Sequence, residues 1–190
     1  MQALPGKDNM RVMKKHPFLQ VEFISHVGLT TAEKKQINLI FEVTASVLKS
    51  LLKKEKLLKS RVPISSVGLS VMLCGDSRMR ELNKKSRSKD KVTDVLSFPY
   101  HEDLRTNKGP IAEDKKLYLG ELAICHGQTK RQAKKFKIRY SDEFTHLFIH
   151  GLFHLMGFDH EVSEAEELMM QKMEDRALNE FSKLKKKKGS

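Results

Sequence analysis

Apolar and polar residues alternate in four segments of the chain, and this pattern predicts four β-strands. FLQVEFISHV (18–27) alternates along its length, and SSVGLSVMLC (65–74) is rich in β-branched and apolar residues before a Gly-Asp turn. TDVLSFPY (93–100), which Pro99 interrupts, and LYLGELAIC (117–125) have the same character. We therefore expect a sheet of about four strands.

A period near 3.6 residues predicts helices in the remaining segments. A long amphipathic helix with a lysine-rich outer face starts at Thr30 or Thr31, either of which is a suitable N-cap, and a short helix is expected over 77–86. Ser141 and Ser163 are suitable N-caps for the last two helices. The last third of the chain is helical in three segments: GQTKRQAKKFKI (127–138), SDEFTHLFIHGLFHLM (141–156) and SEAEELMMQKMEDRALNEF (163–181).

The order of these elements predicts one domain of the α+β or mixed α/β class, in which helices pack on a mixed sheet of about four strands. We assign residues 1–15 to a flexible N-terminal arm and 16–182 to a single domain. Within that domain, 102–116 is expected to be a surface loop insertion. Residues 183–190 are assigned to a solvated basic tail.

The charge of the chain favours polyanionic partners. Its 190 residues carry a net charge of +12. Cys74 and Cys125 are isolated, so we expect buried, reduced thiols. No apolar run suits a signal peptide or a membrane span, which predicts a soluble, cytoplasmic protein with no membrane partner, although an atypical organellar targeting segment is left open.

The segment HGLFHLMGFDH (150–160) carries the candidate chemistry. His150 and His154 lie one turn apart on the predicted helix, and Gly157 can adopt the left-handed turn that returns His160 to the same point. Three neutral imidazoles suit one Zn²⁺ ion with an open fourth position, as in catalytic sites. The same three nitrogens also accept nickel or copper.

These histidines allow two other interpretations. Core histidines can instead be satisfied by carbonyl groups, but the spacing and the apolar surroundings favour a metal. The spacing also matches the metzincin peptidases, in which a general-base Glu follows the first His; here that position is Gly151. His146 extends the histidine stripe by one turn, and we expect it to pack or to support the site rather than to bind the ion.

The histidine segment resembles the signature HGxLHLxGYDH of the YbeY family of zinc-dependent single-strand endoribonucleases, with Phe153 in place of Leu and Phe158 in place of Tyr. SRSKDKVTDVLSFPY resembles the family's YRxKDxPTDVLSFP, and LGELAIC its LGDIxIC. Ser86 and Val92 depart from the family pattern. The resemblance implies a small sheet with helices and a metal site at its edge.

The resemblance implies roles for particular residues. His150, His154 and His160 would bind zinc, and Arg87 would be the catalytic arginine that faces the metal cleft. The resemblance also implies that residues 16–182 form a catalytic domain whose partners are ribosomal RNA and the ribosomal subunit. Asp159 or Glu121 is a candidate proton acceptor, and Asp159 is equally a candidate for orienting a histidine.

The basic segment before the histidine helix is a candidate RNA-binding surface, expected to lie close to the metal. Three functions stay open at this point: a zinc endoribonuclease of ribosomal RNA processing, a metal-dependent peptidase-like hydrolase, and a non-catalytic RNA-binding or ribosome-binding module that zinc stabilises. The candidate substrate-binding residues are Lys130, Arg131, Lys134 and Lys135.

Overall fold

The computed structural model describes residues 10–55, 64–105 and 115–188. In these ranges the strands are β1 (Met10–Lys15), β2 (Leu19–Ser25), β3 (Ser66–Cys74), β4 (Val95–Pro99) and β5 (Lys116–Cys125). The helices are α1 (Thr31–Glu55), α2 (Asp76–Arg87), α3 (His126–Phe136), α4 (Tyr140–Leu155) and α5 (Glu164–Lys188).

The strands form one mixed sheet in the order β1-β2-β3-β5-β4. The pairs β2 with β3 and β3 with β5 are parallel, whereas β1 with β2 and β4 with β5 are antiparallel. The predicted α+β class and mixed sheet are confirmed. Over the ranges that the structure describes, no helix combines the length and apolar character needed to cross a membrane.

The sheet has five strands rather than the predicted four, because part of the predicted N-terminal arm pairs with β2. Met10 pairs with Ser25 and Lys15 with Gln20. The side chains of β1 alternate between half-buried and exposed, as expected of an edge strand that packs on one side only. Its hydrophobic signal is therefore weak. Residues 1–9 lie outside the described ranges.

Helix α4 is the central buried helix. It packs on β4 and β5 and is flanked by α1, α3 and α5. Phe41 of α1 joins it to the sheet, with its ring 5.0 Å from that of Phe148 and 5.5 Å from that of Phe23. Most of α4 is apolar; its polar side chains include buried Ser141, Glu143 and Thr145 in the first half and the histidine stripe His146, His150 and His154.

A smaller cluster lies on the other face of the sheet, beneath α2. Leu122 and Ile124 belong to the main core, and Ala123 and Cys125 to this second cluster, which also contains Met79 of α2. Successive strand residues point to opposite faces, so this division places α2 and α4 on opposite sides of β5.

The capping predictions have mixed outcomes. Thr30 and Glu33 form a reciprocal capping box, and the Ser163 hydroxyl accepts a hydrogen bond from the Glu166 amide at 3.2 Å. Ser141 is wrong as an N-cap, because α4 already starts at Tyr140 and the Ser141 side chain is buried. The predicted tail is also helical over 183–188, since α5 continues to Lys188; residues 189–190 are outside the described ranges.

Candidate metal centre

Three histidines from the end of α4 and the following turn meet at one point. His150, His154 and His160 each offer a ring nitrogen, and these nitrogens lie within 4.8 Å of one another. The Nε2 atoms of His150 and His154 are 3.1 Å apart. The structure thus brings together the three residues that the sequence analysis selected as metal ligands.

The turn after α4 explains how His160 reaches this cluster. Gly157 has φ +96°, a left-handed conformation that L side chains rarely adopt. Its amide donates to the His154 carbonyl at 3.0 Å, and the Phe158 amide donates to the Phe153 carbonyl at 3.1 Å. A Cβ atom on Gly157 would also lie 2.8 Å from the Cα of Asp103, so glycine is required here for both conformation and space.

A carboxylate on α5 orients the first histidine. Nδ1 of His150 lies 2.7 Å from Oε1 of Glu174, and both side chains are largely shielded from solvent. When Nδ1 donates to the carboxylate, the lone pair of Nε2 points toward the other histidines, as in many metal-binding His-carboxylate pairs. Sequence reasoning missed Glu174. Its signal is a carboxylate on the apolar stripe of α5, adjacent to Met170, Met173 and Ala177.

The environment of His154 keeps its imidazole neutral. Burial is the main cause that lowers its pKa from 6.5 to about 4, and the neighbouring His150 and His160 lower it further. A hydrogen bond with the Phe158 backbone acts in the raising direction. A neutral imidazole is the form that binds a metal. Three convergent imidazole nitrogens with a carboxylate behind one of them therefore fit a divalent transition-metal ion.

His146 and Gly151 lie on the same helix as the ligands but do not contribute a ligand or a base. His146 is exposed rather than packed, and its ring centroid lies 6.2 Å from that of His150, outside the ligand set. Gly151 is buried against β5, where a Cβ would lie 2.7 Å from a Leu122 methyl carbon. The position that holds a general-base Glu in metzincins thus has no room for one.

The two candidate proton acceptors lie in different places. Asp159 is in the metal turn, where its carboxylate accepts from the Glu161 amide at 2.9 Å and its charge acts on His154. Glu121 adjoins Leu122, which contacts α4, so Glu121 points to the opposite face of the sheet. Among the described residues Glu121 is not part of the histidine cluster, and its role as a proton acceptor stays a prediction.

Arg87 is the last residue of α2 and is exposed. Among the described residues its side chain has no hydrogen bond or ion pair, and it is not part of the histidine cluster. The loop that follows is fixed to α2, because buried Asn83 donates to the Lys91 carbonyl at 2.8 Å and Asp90 pairs with Arg80 at 2.7 Å. Arg87 is therefore an available cation on a well-supported helix end.

The four basic candidates on α3 differ in their surroundings. Lys130 pairs with Glu33 at 3.3 Å and Arg131 with Asp76 at 2.8 Å. Lys134 and Lys135 are exposed. Lys130 also lies over Tyr140, at the start of α4, and His150 is about 15 Å further along that helix axis. The expected closeness of this basic surface to the metal ligands is thus not seen at Lys130.

The segment assigned to a loop insertion is anchored at its start. Leu104 is fully buried, and Arg105 is held against the metal turn. The expectation of a surface loop over 102–116 therefore does not apply to 103–105, and Lys116 belongs to β5. Residues 106–114 lie outside the described ranges.

Comparison with known proteins extends this picture beyond the histidines. Residues 29–182 match the family model described as endoribonuclease YbeY. The chain belongs to the YbeY family. Membership places it among hydrolytic nucleases and confirms the resemblance inferred from three sequence segments.

Individual relatives give the same assignment. The endoribonuclease YbeY of Thermodesulfovibrio yellowstonii is 36% identical over 80% of this chain and 89% of that protein. That of Aquifex aeolicus is 34% identical over 80% of this chain and 98% of its own length, and that of Leptospira interrogans is 40% identical over 60% and 86%. The solution structure of TM1509 from Thermotoga maritima shares the fold, with a TM-score of 0.51, 24% identity and coverage of 86% and 89%.

Proposed function

We propose that this YbeY-family protein is a zinc-dependent endoribonuclease that cleaves single-stranded RNA during ribosomal RNA processing and ribosome biogenesis. The observation that carries the proposal is the cluster of His150, His154 and His160, backed by Glu174, in a chain of this family. Three neutral imidazoles with a fourth position left for a water or a substrate oxygen are typical of catalytic zinc sites.

The protein supplies the ligands and their orientation. When bound, a zinc ion at the three nitrogens acidifies water and polarises a phosphoryl oxygen. Glu174 keeps His150 in the tautomer whose Nε2 faces the site. Asp159 lies close enough to act on His154 electrostatically, and we assign it an orienting role rather than that of proton acceptor.

Arg87 is the proposed catalytic residue. Its planar guanidinium can hold a phosphate by two parallel hydrogen bonds and stabilise negative charge that develops during cleavage. The availability of Arg87, which has no carboxylate partner among the described residues, supports this role, because a phosphate need not displace an existing ion pair.

Lys134 and Lys135 are the proposed phosphate-binding residues on α3, with Lys130 and Arg131 contributing more weakly because Glu33 and Asp76 already neutralise them. Such contacts are independent of base sequence and weaken with salt. We further propose that residues 16–182 form the catalytic domain and that the protein acts in the cytoplasm, where its two free cysteines stay reduced.

The test is cleavage of a single-stranded ribosomal RNA fragment by metal-analysed protein, with the same fragment in a duplex as the comparison. Arg87→Ala should cost ~10²–10³-fold in rate, the usual effect of losing one donor to a developing charge. His154→Ala should lose both zinc and cleavage. Arg11→Ala, which removes an exposed ion pair on the distant edge strand β1, should cleave like the parent.

The possible results separate the three functions. Equal cleavage by all preparations would identify a contaminating nuclease. If the unmutated protein binds zinc and RNA but cleaves neither the single-stranded fragment nor the duplex, it is the non-catalytic binding module. Cleavage of unstructured protein with no effect on RNA would indicate a peptidase, against which the packing of Gly151 already argues.

A further inference from the structure

The segment after β4 is fixed beside the metal turn. Leu104 is completely buried in the main core. This anchor places Asp103 against Gly157, so closely that a Cβ on Gly157 would meet the Asp103 carboxylate oxygen at 2.5 Å. The residue that follows Leu104 is Arg105, and its side chain crosses the same turn.

Arg105 contacts three parts of the structure with one guanidinium group. Nη2 donates to the Gly157 carbonyl at 2.7 Å, and Nη1 donates to Oε2 of Glu166 on α5 at 2.8 Å. Nε donates to Oδ1 of Asp103 at 3.1 Å. The Cζ atom also lies 4.4 Å from the centroid of the Phe158 ring, a cation–π distance.

These contacts fix the turn that carries the third histidine. Gly157 and Phe158 are the residues through which the chain reverses between His154 and His160. Their carbonyl and ring are held by Arg105, and Arg105 is held in turn by Glu166 two helical turns before Glu174 on α5. The side chain of Arg105 is only 20% exposed, so these hydrogen bonds are largely protected from water.

We infer that Arg105 is a positioning residue for the metal centre: it locks the Gly157–Phe158 turn so that His160 is held in place to complete the three-histidine site. This inference rests on the proposed metal-dependent function and deepens it. It assigns the site two supports on α5, with Glu174 orienting His150 directly and Glu166 acting on the turn through Arg105.

The test measures metal binding without RNA. Zinc affinity of the apo-protein is determined by competition with a chromophoric chelator, and the Co²⁺-substituted protein gives an absorption spectrum that reports ligand geometry. Arg105→Ala should weaken zinc binding by ~10–100-fold, the usual effect of losing a partner outside the ligand shell, and should alter the cobalt spectrum. Arg105→Lys should recover only part of this loss, because an ammonium cannot reproduce the planar, three-sided contact.

Two further variants serve as comparisons. Glu166→Gln keeps the Arg105 side chain and its contacts with Gly157 and Asp103 but removes the carboxylate charge on α5. This variant should therefore weaken zinc binding less than Arg105→Ala does. Arg11→Ala removes a different Arg-Glu pair, on the far edge of the sheet, and should bind zinc like the parent. Each affinity is measured at a temperature at which thermal unfolding shows that variant to be folded.

The outcomes distinguish this inference from the proposed function. If Arg105→Ala unfolds more readily but binds zinc with the affinity and cobalt spectrum of the parent, the inference is overturned and the metal site stands. If Arg105→Ala does not fold, parental zinc binding by both Arg105→Lys and Glu166→Gln overturns it. If the parent binds no zinc, or His160→Ala binds it as tightly as the parent, the metal site and the inference fall together.

Discussion

Nδ1 of His150 and Oε1 of Glu174 lie 2.7 Å apart and join α4 to α5. Two helices therefore contribute different parts of the site. α4 supplies two metal-binding nitrogens, and α5 supplies the acceptor that sets the tautomer of one of them.

Removing the Glu174 carboxylate should weaken metal binding. Glu174→Ala is expected to lower zinc affinity by ~10–100-fold, and Glu174→Gln by less, because the amide oxygen still accepts the Nδ1 proton. Competition with a chelator measures both. Glu167→Gln, an exposed change on the same helix, is the control and should have no effect. Parental affinity in Glu174→Ala would show that the contact has no role in ligand orientation.

The two histidines on either side of His150 should differ in metal binding. His154→Ala should abolish stoichiometric zinc binding, since two nitrogens cannot replace three in this geometry. His146→Ala should bind one zinc like the parent, because His146 is exposed and outside the cluster. Elemental analysis after dialysis gives the stoichiometry. A loss of zinc in His146→Ala would place that residue in the ligand set.

Glu143 should make stability dependent on pH. It is buried, and burial raises its pKa, with His146 acting in the lowering direction and Asp94 in the raising direction. A carboxyl whose pKa is raised by folding stabilises the folded state while it is protonated. This contribution to the free energy of unfolding is fully present below the unfolded-state pKa of 4.5 and is lost as the pH rises through the raised pKa of the folded state.

Glu143→Gln should therefore have a higher melting temperature than the parent at pH 7, and the difference should disappear near pH 4. Thermal unfolding of the two proteins across this range is the measurement, with exposed Glu167→Gln as the reference for a surface change. A Glu143→Gln protein less stable than the parent at pH 7 would mean that the ionised carboxylate is stabilising where it lies.

The two cysteines should be unreactive in the folded protein. They are register partners on β3 and β5, and burial is the main cause that raises the pKa of Cys74 to about 12 and of Cys125 to about 11. At pH 8 only roughly one Cys125 thiol in a thousand is then a thiolate. Mass spectrometry after iodoacetamide treatment should show neither thiol labelled in buffer and both in denaturant. Rapid labelling of the native protein would contradict this burial.

The central elements of the fold were predictable because their signals are strong. The alternation in β2 and the long apolar run of α4 each reflect a buried face. Strand β1 was not predicted, because an edge strand only half-buries alternate side chains and because three of its six residues, Arg11, Lys14 and Lys15, are basic. Ser141 was wrongly chosen as a cap because local residue preference favours serine, whereas packing extends the helix beyond it.

The candidate site was predictable only where its residues are close in sequence. His150, His154 and His160 lie within one helix end and one turn, so their spacing alone indicates that they meet. Glu174 and Arg105 reach the same place from other elements through tertiary packing. Their roles depend on how α5 and the segment after β4 dock, which no local pattern expresses.

The position of α5 in the chain also determines when the acidic supports of the site become available during synthesis. A nascent chain that ends just after His160 already contains all three histidines, but neither Glu166 nor Glu174 has yet been added. Such a chain lacks both acidic partners of the site, one for His150 and one for Arg105. The metal site with both of these supports therefore exists only in a molecule whose synthesis has passed Glu174.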